Sequence, residues 1–453
     1  MTTYNSTVEP SMSWRFVAAV ATILNFCATV TIAQAAPRTG YILIDANSGK
    51  QLAADSENTA FIPASTMKLV TMLSALDHLG PDHRFETSLS VTGKLNGTVL
   101  EGDLVLQGSG DVELDLNDLM RLGLALRQLG ISRTSGRFLV SDSAFLRVDE
   151  INADQPLDAP YNAGVGPLSL AFGRVTQRLQ NDGSFFANPA LVERGPAWRI
   201  KPDVKHKRAR AIPVRDVGMH TALSLRRIAG ELGIDVPIPQ RGMRKAQSRT
   251  IATMQSKPLV EMIEGMMVYS NNQLAETIGL ATANMLKPAP QSLAKSASTL
   301  WHDLVTRLPV TDWQGFHITN HSGLDSSARA TPKQLAALLQ YGLAHHHLPY
   351  LLPANAWSGS LSRRLVEKGL LQRVWAKTGS IDFSAALAGY LLPEAGGLWL
   401  FAILSDDPER RAVYDAMPEP DAEIRAESQH WDREIKAQHD DILRQWISGA
   451  FQP

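Results

Sequence analysis

Three short groups of hydroxyl, amine and amide side chains stand far apart in the chain: Ser65-Thr66-Met67-Lys68, Ser270-Asn271-Asn272 and Lys377-Thr378-Gly379. A serine hydroxyl is a poor nucleophile until a neighbouring base takes its proton. Residues three apart on a helix share a face, which sets the Lys68 amine beside the Ser65 hydroxyl. Lys68 serves as that base only if its pKa falls toward neutrality. Burial and a second cation close by, Lys377, both act in that direction. Ser65 also opens its helix, where unpaired N–H groups and the helix dipole favour developing negative charge. Ser270 is suited to relay a proton between Lys68 and a leaving amine, and Asn272 to donate to a substrate carbonyl while accepting from Lys68. Lys377, Thr378 and Ser380 are suited to hold a terminal carboxylate, and Gly379 to let an extended substrate come close to the backbone. The backbone N–H groups of Ser65 and Ser380 are the natural oxyanion donors. The chemistry is acyl transfer through a serine ester.

Each group alone is a weak signal, and the chain carries its own decoys. Ser292-Leu293-Ala294-Lys295 repeats the first spacing and Ser56-Glu57-Asn58 the second. They fail on order and context, because Ser292 follows the Ser-x-Asn group and has no proline-led helix start. Gly108-Ser109-Gly110-Asp111 lacks the Lys-Ser/Thr of a phosphate loop and reads as a tight turn. His345-His346-His347 has no metal-site spacing and reads as a helix end. No metal or cofactor is expected.

The elements that must position these groups follow from pattern. Residues 41–45 read as a strand, 46–49 as its turn and 50–53 as a returning strand. Pro63 opens a helical stretch over 65–79, closed by Gly80, with Met67, Val70, Leu73, Leu76 and Leu79 on its buried side. From about Phe85 short alternating runs appear at 88–91, 104–107 and 137–140, with one amphipathic helix over 116–129 whose leucines are core positions. This is an α+β texture running to about Arg249. Within it, residues 193–215 are loop-like and basic (Arg199, Lys201, Lys205, Lys207, Arg208, Arg210), which is either a solvated connection or a contact with an anionic polymer or membrane surface. Helical pattern returns at 259–286, 294–307 and 332–342. Strands follow at 384–392 and 398–404 around a hairpin at 394–397, and a charged terminal helix occupies 420–447.

With 453 residues, 44% hydrophobic and 20% charged, the chain has material for two or more structural units. A net charge of −1 gives no general attraction to nucleic acid, and none is expected as a partner. Arg15, the apolar run 16–32 and Ala33-Gln34-Ala35 have the three-part layout of a secretory signal, cleaved near Ala35; the other reading is an uncleaved anchor. The single cysteine, Cys27, lies in that run, so the exported protein has no thiol chemistry and no disulfide.

Beyond the trio, the chain resembles the D-Ala-D-Ala carboxypeptidase/endopeptidase family, the class C low-molecular-mass penicillin-binding proteins. The matching stretches are Phe61-Ile62-Pro63-Ala64-Ser65-Thr66-Met67-Lys68-Leu69, Met267-Val268-Tyr269-Ser270-Asn271-Asn272-Gln273-Leu274-Ala275-Glu276 and His321-Ser322-Gly323-Leu324. Lys377-Thr378-Gly379-Ser380 with Ala386-Leu387-Ala388-Gly389-Tyr390, and Gly102-Asp103-Leu104 with Gly108-Ser109-Gly110-Asp111, fit as well. The resemblance implies a penicillin-binding/transpeptidase-like (β-lactamase-like) α/β domain, with a five-stranded, mainly antiparallel sheet and helices on both faces. That domain would comprise residues 36–86 and 250–453, interrupted by an accessory α+β insertion over 87–249 and preceded by a signal peptide over 1–35. It further implies a periplasmic enzyme cutting D-Ala–D-Ala bonds of peptidoglycan pentapeptides or cross-linked muropeptides, acylated at Ser65 by β-lactams. Asp142 is the nearest match to a family aspartate that binds the substrate's diamino-acid side chain. Two departures stand out: Asp325-Ser326 replace the Ser-Arg that usually follows Ser-Gly-Leu, and the insertion is short, trimmed around residues 187–212. A β-lactamase or esterase on the same scaffold, and a non-catalytic peptidoglycan-binding protein, remain open on the sequence. Oligomeric state, endopeptidase preference and the role of the terminal helix are not legible in it.

Overall fold

The strands Ser384–Leu391 and Trp399–Asp406 are buried along nearly their whole length, with side chains alternating between two cores. In Trp399–Asp406, Leu400, Ala402 and Leu404 face one hydrophobic core while Phe401 and Ile403 face another; in Ser384–Leu391, Ala386, Ala388 and Tyr390 oppose Leu387 and Leu391. A strand apolar on both faces must be covered on both. It is. The computed structural model, which describes residues 37–179, 185–188, 209–288, 292–309, 311–417 and 419–450, has an antiparallel five-stranded sheet. Its order is Val374–Ile381, Ser384–Leu391, Trp399–Asp406, Arg38–Asp45, Gln51–Asp55. One face packs on the helices Lys68–His78, Leu259–Tyr269, Asn272–Leu286 and Pro332–His346. The other packs on Leu443, Trp446 and Ile447 of the terminal helix Ala422–Ser448, whose buried stripe (Ser428, Trp431, Ile435, His439, Leu443) recurs every three or four residues.

Residues 86–255 build a second five-stranded sheet, in the order Pro239–Arg241, Phe138–Ser141, Leu104–Gly108, Glu86–Val91, Arg249–Gln255. It mixes parallel and antiparallel pairs and is covered by Leu116–Gln128 and Val217–Glu231. The strand Arg249–Gln255 pairs with Glu86–Val91, so this sheet extends past residue 250, where the sequence pattern placed the return. Among the described residues two three-stranded sheets also fall within this stretch. Pro37–Pro453 is one compact unit.

The helix expected over 259–286 is two helices, Leu259–Tyr269 and Asn272–Leu286, broken at Ser270. Ser270 adopts the left-handed conformation (φ 52°, ψ 38°) as the C-cap of the first, and the Asn271 side chain caps the second by accepting from the Leu274 N–H at 3.1 Å. Residues 1–36, and with them the signal segment and Cys27, lie outside the described residues, as does most of the basic segment (Arg199, Lys201, Lys205, Lys207, Arg208). Arg210 is described and pairs with Asp158. Among the described residues no helix is long and apolar enough to cross a membrane.

Leu73 sits wholly buried in the helix behind Ser65. Leu73→Ala should lower the unfolding free energy by about 2–5 kcal/mol, read from chemical denaturation followed by circular dichroism.

Candidate active site

Pro63 and Ala64, the latter at φ 46°, turn the chain into the 3-10 segment Ala64–Met67, which runs on into the helix Lys68–His78. Ser65 is half-buried at the mouth of a cleft, and Lys68, one turn below, is fully buried. The Lys68 Nζ donates to Ser65 Oγ at 2.9 Å, Asn272 Oδ1 at 2.8 Å and the Ser322 carbonyl at 2.8 Å. Three donors fit the ammonium form; the neutral amine keeps two, for Asn272 Oδ1 and the Ser322 carbonyl, and turns its lone pair to the Ser65 hydroxyl. Burial holds the Lys68 amine well below its ordinary pKa; Lys377 pushes the same way and Glu276 opposes.

The break at Ser270 is what allows the second group to face two ways. Asn272, at the start of its helix, meets Lys68 with its carbonyl oxygen, while its Nδ2 donates to the Tyr161 carbonyl at 3.1 Å rather than pointing free into the cleft. Ser270 presents its hydroxyl to Lys377, whose Nζ donates to it at 2.9 Å and to the Thr378 carbonyl at 2.6 Å. Lys377 is also fully buried, which pulls its amine down to about 7.

Lys377 lies on Val374–Ile381, an edge strand of the five-stranded sheet. The Ala376 N–H points off that edge to the Pro353 carbonyl at 3.1 Å; by alternation the Ser380 N–H points off it too. The sequence reading reserved Gly379 for close approach of substrate. Here the Ser65 turn itself takes that space: a Cβ on Gly379 would lie 2.6 Å from the Pro63 carbonyl oxygen and 3.1 Å from the Ser65 nitrogen. Thr378 Oγ1 and Ser360 Oγ are 2.7 Å apart, and Ser380 Oγ donates to Asp432 Oδ1 of the terminal helix at 3.1 Å.

The cleft, about 370 Å³, is lined by Ser65, Ser270, Asn272, Gly323 and Ser380, with Gln155 and Tyr161 on one side and Asp382, Arg411, Ser428 and Asp432 on the other. Asp142 does not line it. Its buried carboxylate accepts from Arg147 Nη1 at 3.1 and 3.0 Å and from Arg241 Nη2 at 3.4 Å, and burial raises its pKa. In the loop that departs from the family pattern, Asp325 caps its own turn through the Ser327 N–H, and the Ser326 hydroxyl donates to Asp415. Of the decoys, Ser292 caps the helix Leu293–Leu304, and His346 pairs with Asp77 at 2.7 Å.

Three features carried no role in the sequence reading. Ser322 supplies the third acceptor for Lys68. Glu276, fully buried, accepts the N–H groups of His321 at 3.1 Å and Ser322 at 2.9 Å. Its position four residues after Asn272, on the same helix face, was the available signal. The terminal helix supplies a cleft wall, which its amphipathic pattern does not reveal.

A family model described as D-Ala-D-Ala carboxypeptidase 3 (S13) matches residues 31–192 and 202–424. The chain belongs to that family. Among similar proteins, a carboxypeptidase of Mycobacterium tuberculosis is 28% identical over 395 residues, covering 83% of this chain and 78% of its own. D-alanyl-D-alanine carboxypeptidase DacB of Haemophilus influenzae is 25% identical over 402 residues, covering 79% of this chain and 83% of its own. The crystal structure of penicillin-binding protein 4 from Haemophilus influenzae superposes with a TM-score of 0.70 at 22% identity, covering 82% of this chain and 90% of that one. That protein has also been solved in complex with a β-lactam. The described fold is thus the penicillin-binding one, and the S13 chain is a D-Ala-D-Ala carboxypeptidase-type peptidase.

A methyl group at residue 379 must displace the Ser65 turn. Gly379→Ala should slow acylation by labelled penicillin about 100-fold or more while the protein stays folded, checked by stopped reaction time courses beside a thermal melt.

Proposed function

We propose that this S13 enzyme is exported to the periplasm and hydrolyses the D-Ala–D-Ala bond of peptidoglycan pentapeptides, or the D-Ala–diamino-acid bond of cross-linked muropeptides, through an acyl-enzyme on Ser65. The apolar run 16–32 and Ala33-Gln34-Ala35 support export. The single observation that carries the mechanism is the Lys68 amine: buried, lowered in pKa and 2.9 Å from Ser65 Oγ. In this reading Lys68 takes the proton as Ser65 Oγ bonds the carbonyl carbon, a general-base contribution of roughly 100- to 10,000-fold. The N–H groups of Ser65 and Ser380 receive the oxyanion, each contributing about 3–4 kcal/mol. Ser270, held by Lys377, passes the proton to the leaving nitrogen. Lys377, with Thr378 and Ser380, takes the terminal carboxylate. Water then releases the acyl group, and a β-lactam uses the same steps up to the ester. The five-stranded sheet with its helices is the catalytic unit, and the sheet between Glu86 and Gln255 is an accessory unit whose Gln155–Tyr161 loop closes one side of the cleft.

Ser65→Ala should abolish both D-Ala release and covalent penicillin labelling with an unchanged far-UV spectrum; retention of either activity removes Ser65 from the mechanism. The Lys377 amine is a cation below about 7 and neutral above it. The kcat/KM for a D-Ala–D-Ala peptide should therefore fall about tenfold per pH unit above that point, whereas a peptide with an amidated terminus, already a poorer substrate, should lack this alkaline limb.

A further inference from the structure

We propose that Glu276 is a positioning residue for this reaction: it fixes the Ser322 turn beneath the Lys68 amine and supplies the counter-charge that lets Lys68 hold the proton taken from Ser65. The inference rests on the Ser65–Lys68 reading above and adds to it a group outside the three motifs.

Glu276 stands one helical turn after Asn272, on the face turned toward Lys68. Its Oε1 accepts the Ser322 N–H at 2.9 Å and its Oε2 the His321 N–H at 3.1 Å. Ser322 is thus held from both ends, its N–H on Glu276 and its carbonyl on Lys68 at 2.8 Å. With an N–H aimed at each oxygen, the ionised carboxylate is the form that fits, because a protonated carboxyl gives up acceptor capacity. Burial raises the carboxyl overall, and those N–H groups and Lys68 offset part of that rise.

The surroundings leave Lys68 as the cation that this charge balances. His321, the neighbour in the same loop, is fully buried with its pKa pulled down to about 3, so it is neutral; its Nε2 pairs with Ser296 Oγ at 2.8 Å. From the helix of Lys68, Thr71 donates to the His321 carbonyl at 2.7 Å and brings no charge. Two buried amines without a carboxylate would oppose each other's protonation. As Ser65 Oγ bonds the carbonyl carbon, its proton moves to Lys68 Nζ and creates an ammonium beside Lys377. When the C–N bond breaks, that proton leaves with the nitrogen and Lys68 is neutral again. Glu276 stabilises the interval between.

The test is the pH dependence of acylation by labelled penicillin in Glu276→Gln, with Glu276→Asp as the conservative variant. Removing the charge lowers the Lys68 pKa, so the acidic limb of the Gln variant should move down by about 1–2 pH units, and the Asp variant should restore most of the wild-type position. A Gln variant that is folded and labelled but uniformly slow, with its acidic limb unmoved, overturns the inference and leaves the Ser65 reading standing. Loss of the Ser65 reading itself shows separately, as labelling that survives Ser65→Ala. Should Glu276→Gln fail to fold, a carbon-13 titration of the Glu276 carboxyl in Ser65→Ala protein decides. A carboxylate at pH 7 supports the counter-charge, and a protonated carboxyl at pH 7 overturns it.

Discussion

The amine of Lys68 touches three oxygens that come from three distant parts of the chain: the turn at Ser65, the helix start at Asn272 and the loop carbonyl of Ser322. An amine taken out of water and left short of acceptors costs several kcal/mol, so these three segments are bound to each other through it. Moving any one unsatisfies the amine, which makes the pocket a tightly constrained part of the fold rather than a set of side chains hung on it. The same burial that makes the arrangement demanding is what lowers the pKa of the amine. Chemistry and architecture draw on one desolvation.

Close backbone approaches supply the precision. A Cβ on Gly323, at φ 75°, would lie 2.0 Å from the Ala64 carbonyl oxygen, and one on Gly379 would meet Pro63 and Ser65 from the other side. The Ser65 turn is gripped between a loop and a sheet edge, each able to come near only because a side chain is missing. Ser270 makes the complementary choice. It accepts a left-handed backbone, disfavoured by roughly 1–2 kcal/mol for a residue with a Cβ, and thereby turns its hydroxyl toward Lys377.

Much of this was legible in the residues. Serine with lysine at i+3, and the ordered partners at 270–272 and 377–379, are dictated by what acyl transfer needs, and the structure brings Ser65, Lys68, Ser270, Asn272 and Lys377 together. Continuous apolar runs found the strands Ser384–Leu391 and Trp399–Asp406, because burial on two faces leaves a strong imprint. The break at Ser270 was harder to read, since apolar periodicity runs through 259–286 and its two glycines, Gly265 and Gly279, lie inside the helices rather than at the break. Glu276 offered only its spacing from Asn272: its partners are backbone N–H groups 45 and 46 residues away, and backbone carries no sequence signal. Asp142 is the opposite case. A suitable residue type says nothing about whether arginines such as Arg147 and Arg241 already claim it.

The order of strands has a consequence for folding. Arg38–Asp45, near the beginning, is zipped between Gln51–Asp55 and Trp399–Asp406, and the outer face of the sheet is sealed by Ala422–Ser448, whose Asp432 meets Ser380. The earliest strand therefore waits for nearly the last residues before it gains its second neighbour, and long-range pairing of this kind forms slowly. The cleft is therefore complete only once segments from both ends of this long stretch have met, which places its assembly late in folding.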